Sequence, residues 1–124
     1  MNWILSLWRS FGHAWRGLRL AFRTEQSFRL QLAIAIGILY LCLVLPLRAW
    51  ERAILVLAIA CVLVLELLNS TVERLVDLVK PRLHSYVHDI KDLMAAAVLL
   101  AALFAALVGG VILWPYLMSF VTRL

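Results

Sequence analysis

Charge is scarce in this chain. Only 15% of its 124 residues are Asp, Glu, Lys or Arg, and 65% are hydrophobic. A soluble domain carries roughly 25% charged and 45–50% apolar residues. One small soluble core could not hide the excess, so an integral membrane protein is expected. Cysteine is equally scarce. Cys42 and Cys61 both lie in apolar runs, which excludes a disulfide framework or a thiolate zinc site. Glycine numbers five and proline three. No G-x-x-x-x-G-K-[ST] or G-x-G-x-x-G occurs, so a nucleotide would have to be held without a glycine-rich cradle. A compact basic start with a small-residue cleavage site is also missing, so a cleavable signal peptide is not expected.

The twelve basic residues of the net +5 chain are unevenly placed. Arg9, Arg16, Arg19, Arg23 and Arg29 precede the first long apolar run. They are read as membrane-surface and orientation signals, with no nucleic-acid partner expected. Ile4, Leu7, Trp8, Phe11, Trp15, Leu18 and Phe22 recur at three- and four-residue steps, with most of the arginines opposite. That pattern predicts an amphipathic helix over 1–28 lying in the interface.

Three apolar runs follow, over about 30–47, 53–79 and 91–114. The fold class is therefore an all-α membrane protein: one interfacial helix plus three membrane helices, in a single domain over 1–124. The first run would reach about 27 Å, close to a bilayer core. Pro46 and Trp50 mark the turn after it, and Pro81 and Pro115 are expected to end the second and third helices. Gly109-Gly110 in the third run is expected to allow close helix packing. Arg74, Lys80, Arg82 and Lys91 outnumber Arg48 and Arg52 of the first loop. The positive-inside rule then puts the N-terminus and second loop in the cytoplasm.

The uncharged part of the second run stops at Leu65, and carboxylates begin at once. Glu66, Asn69, Ser70, Glu73 and Asp77 stand at i, i+3, i+4, i+7 and i+11, one face of a helix. Ionisable groups at membrane depth are costly and by default functional. A purely structural Glu66 would instead pair with an Arg or Lys of another helix. Glu25 is the only acid among the first fifty residues. Hard divalent cations take oxygen ligands, commonly one or two carboxylates plus substrate phosphates. Lys91-Asp92, at the mouth of the third run, could add a phosphate-binding cation and another acid. A metal, a cationic clamp and a base are the parts that phosphoryl transfer needs. Asp77 and Lys80 are read as solvated helix-end charges. His84 and His88, at i and i+4, are not expected to bind a metal.

The segment Glu66-Leu67-Leu68-Asn69-Ser70-Thr71-Val72-Glu73-Arg74-Leu75-Val76-Asp77 resembles the E-x-x-N-[ST]-x-[IV]-E-x-x-[IV]-D signature of the prokaryotic diacylglycerol kinase family, which includes undecaprenol kinases. Lys91-Asp92-Leu93-Met94-Ala95-Ala96-Ala97-Val98-Leu99 is similar to that family's K-D-x-x-[AS]-[AG]-A-V-L stretch. Ala14-Trp15-Arg16-Gly17-Leu18 and Glu25-Gln26-Ser27-Phe28-Arg29 resemble its entry segment.

The resemblance implies a homotrimer that uses MgATP to phosphorylate a lipid alcohol. Diacylglycerol is the expected acceptor and undecaprenol the alternative. Glu66 would be the base, supported by Asn69, and Glu25 and Glu73 would hold Mg²⁺. His13, Glu25, Glu73, His84, Lys91 and Asp92 would bind ATP. Arg9, Trp15, Ser27, Phe28, Arg29 and Glu66 would meet the lipid. Gln31 departs from the pattern, standing where some members carry glutamate. So do His13, where an aromatic hydroxyl is common, and Arg82 and His88 in the second loop. The rival from another class is a non-catalytic channel or assembly subunit, whose polar stripe should persist along all three spans. The near absence of charge from spans one and three favours a localised site.

Overall fold

The computed structural model describes residues 2–80, 82 and 84–124, with His84 described in its backbone alone. The described residues form four helices and no strand: α1 (Asn2–Thr24), α2 (Gln26–Val44), α3 (Ala49–Val79) and α4 (His84–Val121). Gln26–Val44, Ala49–Val79 and Ser85–Val121 are long and apolar enough to cross a membrane. α3 packs along both α2 and α4, whereas α1 touches chiefly α2.

The surface helix stops earlier than expected, at Thr24. Glu25 takes an extended conformation and α2 starts at Gln26. The break is sealed by side chains. Thr24 Oγ1 donates to Leu20 O at 2.8 Å, and Arg29 Nη1 donates to Phe22 O at 2.9 Å and Arg23 O at 3.0 Å. These bonds satisfy carbonyls that a helix end leaves open. Buried Ala21 and Phe28 flank this corner. Otherwise α1 is exposed, with Trp3, Trp8, Phe11 and Trp15 all uncovered. An aromatic face covered by no other helix of the chain fits a helix that lies in the interface.

α2 ends at Val44, three residues before the expected boundary, because Pro46 drives Leu45 out of the α region. α3 begins at Ala49, four residues early. There the Glu51 carboxylate accepts the Arg48 backbone N–H at 2.9 Å, one half of a capping box. From Ala49 the helix runs unbroken past Glu66, as the short apolar stretch requires. Its 31 residues span about 46 Å, so one end must leave a bilayer core. The expected stop at Pro81 lies outside the described residues.

Pro115 does not close the last helix. α4 continues through it to Val121. Pro115 forfeits one backbone bond. The next residue, Tyr116, compensates by donating its hydroxyl to the Glu51 carboxylate across to α3. Beside this tie sits the core cluster of Cys42, Leu45, Leu47, Leu55, Ile112 and Leu113. The hydrophobic core thus lies near the α2–α3 turn, away from the second loop.

Gly109 stands where α4 passes Leu55 of α3. A Cβ on Gly109 would meet Leu55 Cδ2 at 3.9 Å, an ordinary contact, and one on Gly110 would meet nothing within 4 Å. Both line an apolar groove of about 440 Å³ between α2, α3 and α4.

Candidate active site

The polar stripe of α3 divides into two ridges, each of i, i+4, i+8 spacing, as helix geometry allows. Glu66, Ser70 and Arg74 turn toward α2 and the α1–α2 corner. Asn69, Glu73 and Asp77 form the neighbouring ridge, whose last member reaches α4.

On the first ridge, Glu66 and Ser70 are buried, at 5% and 8% exposure. Glu66 Oε2 accepts a hydrogen bond from Gln31 Nε2 at 3.2 Å. Ser70 Oγ donates to Glu25 Oε1 at 2.9 Å. Arg74 Nη2 donates to Thr24 Oγ1 at 2.9 Å and reaches Glu25 Oε1 at 3.4 Å. The extended backbone at Glu25 is therefore what turns this carboxylate onto α3. On the second ridge, Asn69 Nδ2 donates to Glu73 Oε1 at 3.3 Å, and Lys91 Nζ bonds Asp77 Oδ1 at 2.8 Å.

These bonds gather Glu25, Glu66 and Glu73 at one end of the bundle. The charges of Glu25 and Glu73 both act on Glu66, and that of Glu73 acts on Lys91. Lys91 is tied to Asp77, so Arg74 is the cation bonded to the three-carboxylate group. An excess of negative charge remains, the electrostatic condition for taking up a cation. Among the described residues, the hydrogen bonds to the Glu25 and Glu73 carboxylates fall on Oε1, leaving Oε2 of each clear of them. Among the described residues no group of three or more His, Cys, Asp or Glu could form a metal cage. Glu25 and Glu73 could offer carboxylate oxygens to a divalent cation whose other ligands come from phosphate.

Glu66 has no ion pair among the described residues; its one hydrogen bond comes from an amide. Among the described residues no lysine or arginine neutralises it.

The other expected site residues are placed as follows. Asp77 is exposed as anticipated, yet it pairs with Lys91. Asp92 is exposed and takes no part in the network. His13 bonds Arg16 within α1. Arg9, Trp15 and Ser27 are exposed, Phe28 is buried inside the chain, and Arg29 is engaged with the end of α1. The His84 side chain lies outside the described residues. His88 shares a notch of about 90 Å³ with Lys80, Val87 and Lys91, a basic pocket beside the Asp77–Lys91 pair.

Sequence reasoning gave no site role to Gln31, Thr24 or Arg74, and none to Ser70 beyond its place on the stripe. Arg74 was visible as the next i+4 step beyond Ser70. Thr24 carried no signal, since its role arises from the α1–α2 corner; Gln31 stood out as the polar residue of the first apolar run, but its partner on α3 is set only by packing. A second buried carboxylate, Glu51, was likewise unforeseen; it is bonded to Tyr116 at the opposite end of the bundle.

The model of the prokaryotic diacylglycerol kinase family matches residues 12–113. A diacylglycerol kinase of Synechocystis sp. is 40% identical over 111 residues, covering 89% of this chain and 63% of that protein. A diacylglycerol kinase of Escherichia coli (strain K12) is 31% identical over 109 residues, covering 87% of this chain and 88% of that protein. An undecaprenol kinase of Bacillus subtilis (strain 168) is 34% identical over 116 residues and 94% of each chain. With a family match that takes in the whole carboxylate stripe, the α1–α2 corner and Lys91, this chain belongs to the prokaryotic diacylglycerol kinase family of lipid kinases.

Proposed function

We propose that the chain is an ATP-dependent lipid kinase of the bacterial inner membrane, acting as a homotrimer on diacylglycerol. One observation supports this reading: a buried glutamate with no cationic partner among the described residues stands beside two further carboxylates where α3 meets the α1–α2 corner. A glutamate kept for stability would be paired, because an unpaired buried charge is destabilising. A glutamate kept to receive a proton is more basic without a cation beside it.

Glu66 takes the proton of the lipid's primary hydroxyl. The freed oxygen attacks the γ-phosphorus, the bond from that phosphorus to the bridging oxygen breaks, and ADP leaves with that oxygen. Glu25 and Glu73 would hold Mg²⁺, which when bound neutralises phosphate charge. Ser70 and Arg74 keep Glu25 in place, and Asn69 does the same for Glu73. Lys91 adds positive charge to the phosphates once it turns from Asp77. Positioning and charge compensation are what phosphoryl transfer chiefly asks of a protein.

The uneven basic residues support a cytoplasmic position for the N-terminus and second loop, so ATP arrives from that side and the lipid from the bilayer. His13, His84 and Asp92 complete the proposed nucleotide contacts. Arg9, Trp15, Ser27, Phe28 and Arg29 are the proposed lipid-side residues.

Undecaprenol is the alternative acceptor, favoured by the name of the Bacillus subtilis relative. Purified protein is given labelled ATP and Mg²⁺ with each lipid in parallel. Transfer to diacylglycerol is expected. Transfer to undecaprenol alone would change the substrate, and Mg²⁺-dependent transfer to neither would end the kinase reading.

A further inference from the structure

Gln31 is the one strongly polar side chain in the first apolar run. It sits early in α2 and bonds Glu66, 35 residues away on α3. Its Nε2–H bond to Oε2 is the only hydrogen bond Glu66 receives among the described residues. The other end of the same amide is unsatisfied: Gln31 Oε1 is buried and no described group donates to it. A side chain selected for packing alone would be apolar at this depth, since a buried carbonyl without a donor is destabilising. Gln31 also lines the apolar groove with Ile34, Ile38, Val62 and Leu63, so the tether stands on the side open to hydrocarbon.

We infer that Gln31 is a positioning residue for the transfer: its amide holds Glu66 by Oε2 and leaves Oε1 of that carboxylate to receive the hydroxyl proton. This rests on Glu66 being the base. No cation competes to orient Glu66, so a single N–H donor sets which oxygen meets the substrate. The opposite amide orientation would aim Gln31 Oε1 at the carboxylate, oxygen against oxygen, and is disfavoured.

The test compares Gln31→Leu and Gln31→Glu in the intact protein. Leucine removes the donor and also the orphaned oxygen, so folding should persist. Glutamate keeps a donor when its carboxyl is protonated. The expected order of kcat is wild type, then Gln31→Glu, then Gln31→Leu. The leucine variant should fall by about tenfold or more, the worth of a hydrogen bond to a charged group. KM for ATP and for lipid should stay unchanged. A packing role predicts the reverse, with leucine tolerated best. A kcat for Gln31→Leu within about twofold of wild type, or above that of Gln31→Glu, overturns the inference. Glu66→Gln, measured alongside, separates the two claims. If it is inactive while Gln31→Leu is normal, only the positioning role fails; if it is active, both fail.

Discussion

Glu66→Gln isolates the proton-accepting role because nearly everything else is retained. The amide has the carboxylate's size, and its oxygen can still accept the Gln31 Nε2–H bond, which is 3.2 Å long in the wild type. No cation is stranded, since Glu66 has no ion pair among the described residues. The variant also removes a buried charge, so its stability should match or exceed that of wild type. What disappears is an atom able to take a proton. General-base catalysis contributes about 10²–10⁴ in rate, which corresponds to about 3–5 kcal/mol of barrier. The assay is the initial rate of phosphate transfer from labelled ATP to diacylglycerol in mixed micelles. Size-exclusion and thermal unfolding of the same sample establish that the assembly survives. A loss smaller than about tenfold in an intact assembly would refute the base assignment.

The remaining predictions concern the groups around this carboxylate. Ser70→Ala removes the 2.9 Å bond that steadies Glu25 and should raise the Mg²⁺ concentration for half-maximal activity, by about tenfold if the bond has the usual worth of one to a charged group; an unchanged Mg²⁺ titration would count against Glu25 as a ligand. Glu73→Gln should weaken the Mg²⁺ dependence in the same assay, with the same opposing outcome. Asp77→Asn releases Lys91 from an exposed pair, so it should leave thermal stability nearly unchanged while lowering KM for ATP; Lys91→Met should raise that KM, and no change in either would remove Lys91 from the phosphates. Tyr116→Phe breaks the tie between α4 and Glu51 far from the carboxylates, so it should speed thermal inactivation and leave kcat at low temperature intact; a normal inactivation rate would show that Pro115 needs no such compensation.

Membrane class, helix number and the carboxylate stripe were legible because each rests on local periodicity or on composition. Glu66 through Asp77 share a face whatever surrounds them. Helix ends were harder to read, because backbone and side-chain bonds decide them. Arg29 ends α1 by reaching back to Phe22 and Arg23, and Glu51 starts α3 by capping Arg48. A proline also reads as a stop from sequence, yet α4 passes through Pro115.

The chain's chemistry alone therefore determined that three apolar helices seek lipid and that a row of acids runs along one face of the second, since hydropathy and helical pitch are properties of neighbouring residues. Which acid would stand unpaired was settled only when the helices packed. Ser70 and Arg74 take Glu25, Asn69 takes Glu73, Lys91 takes Asp77, and Glu66 is left to one amide of α2. Most of those partners lie on other helices, 14 to 49 positions away for all but Asn69, and nothing in a local pattern records such a distance.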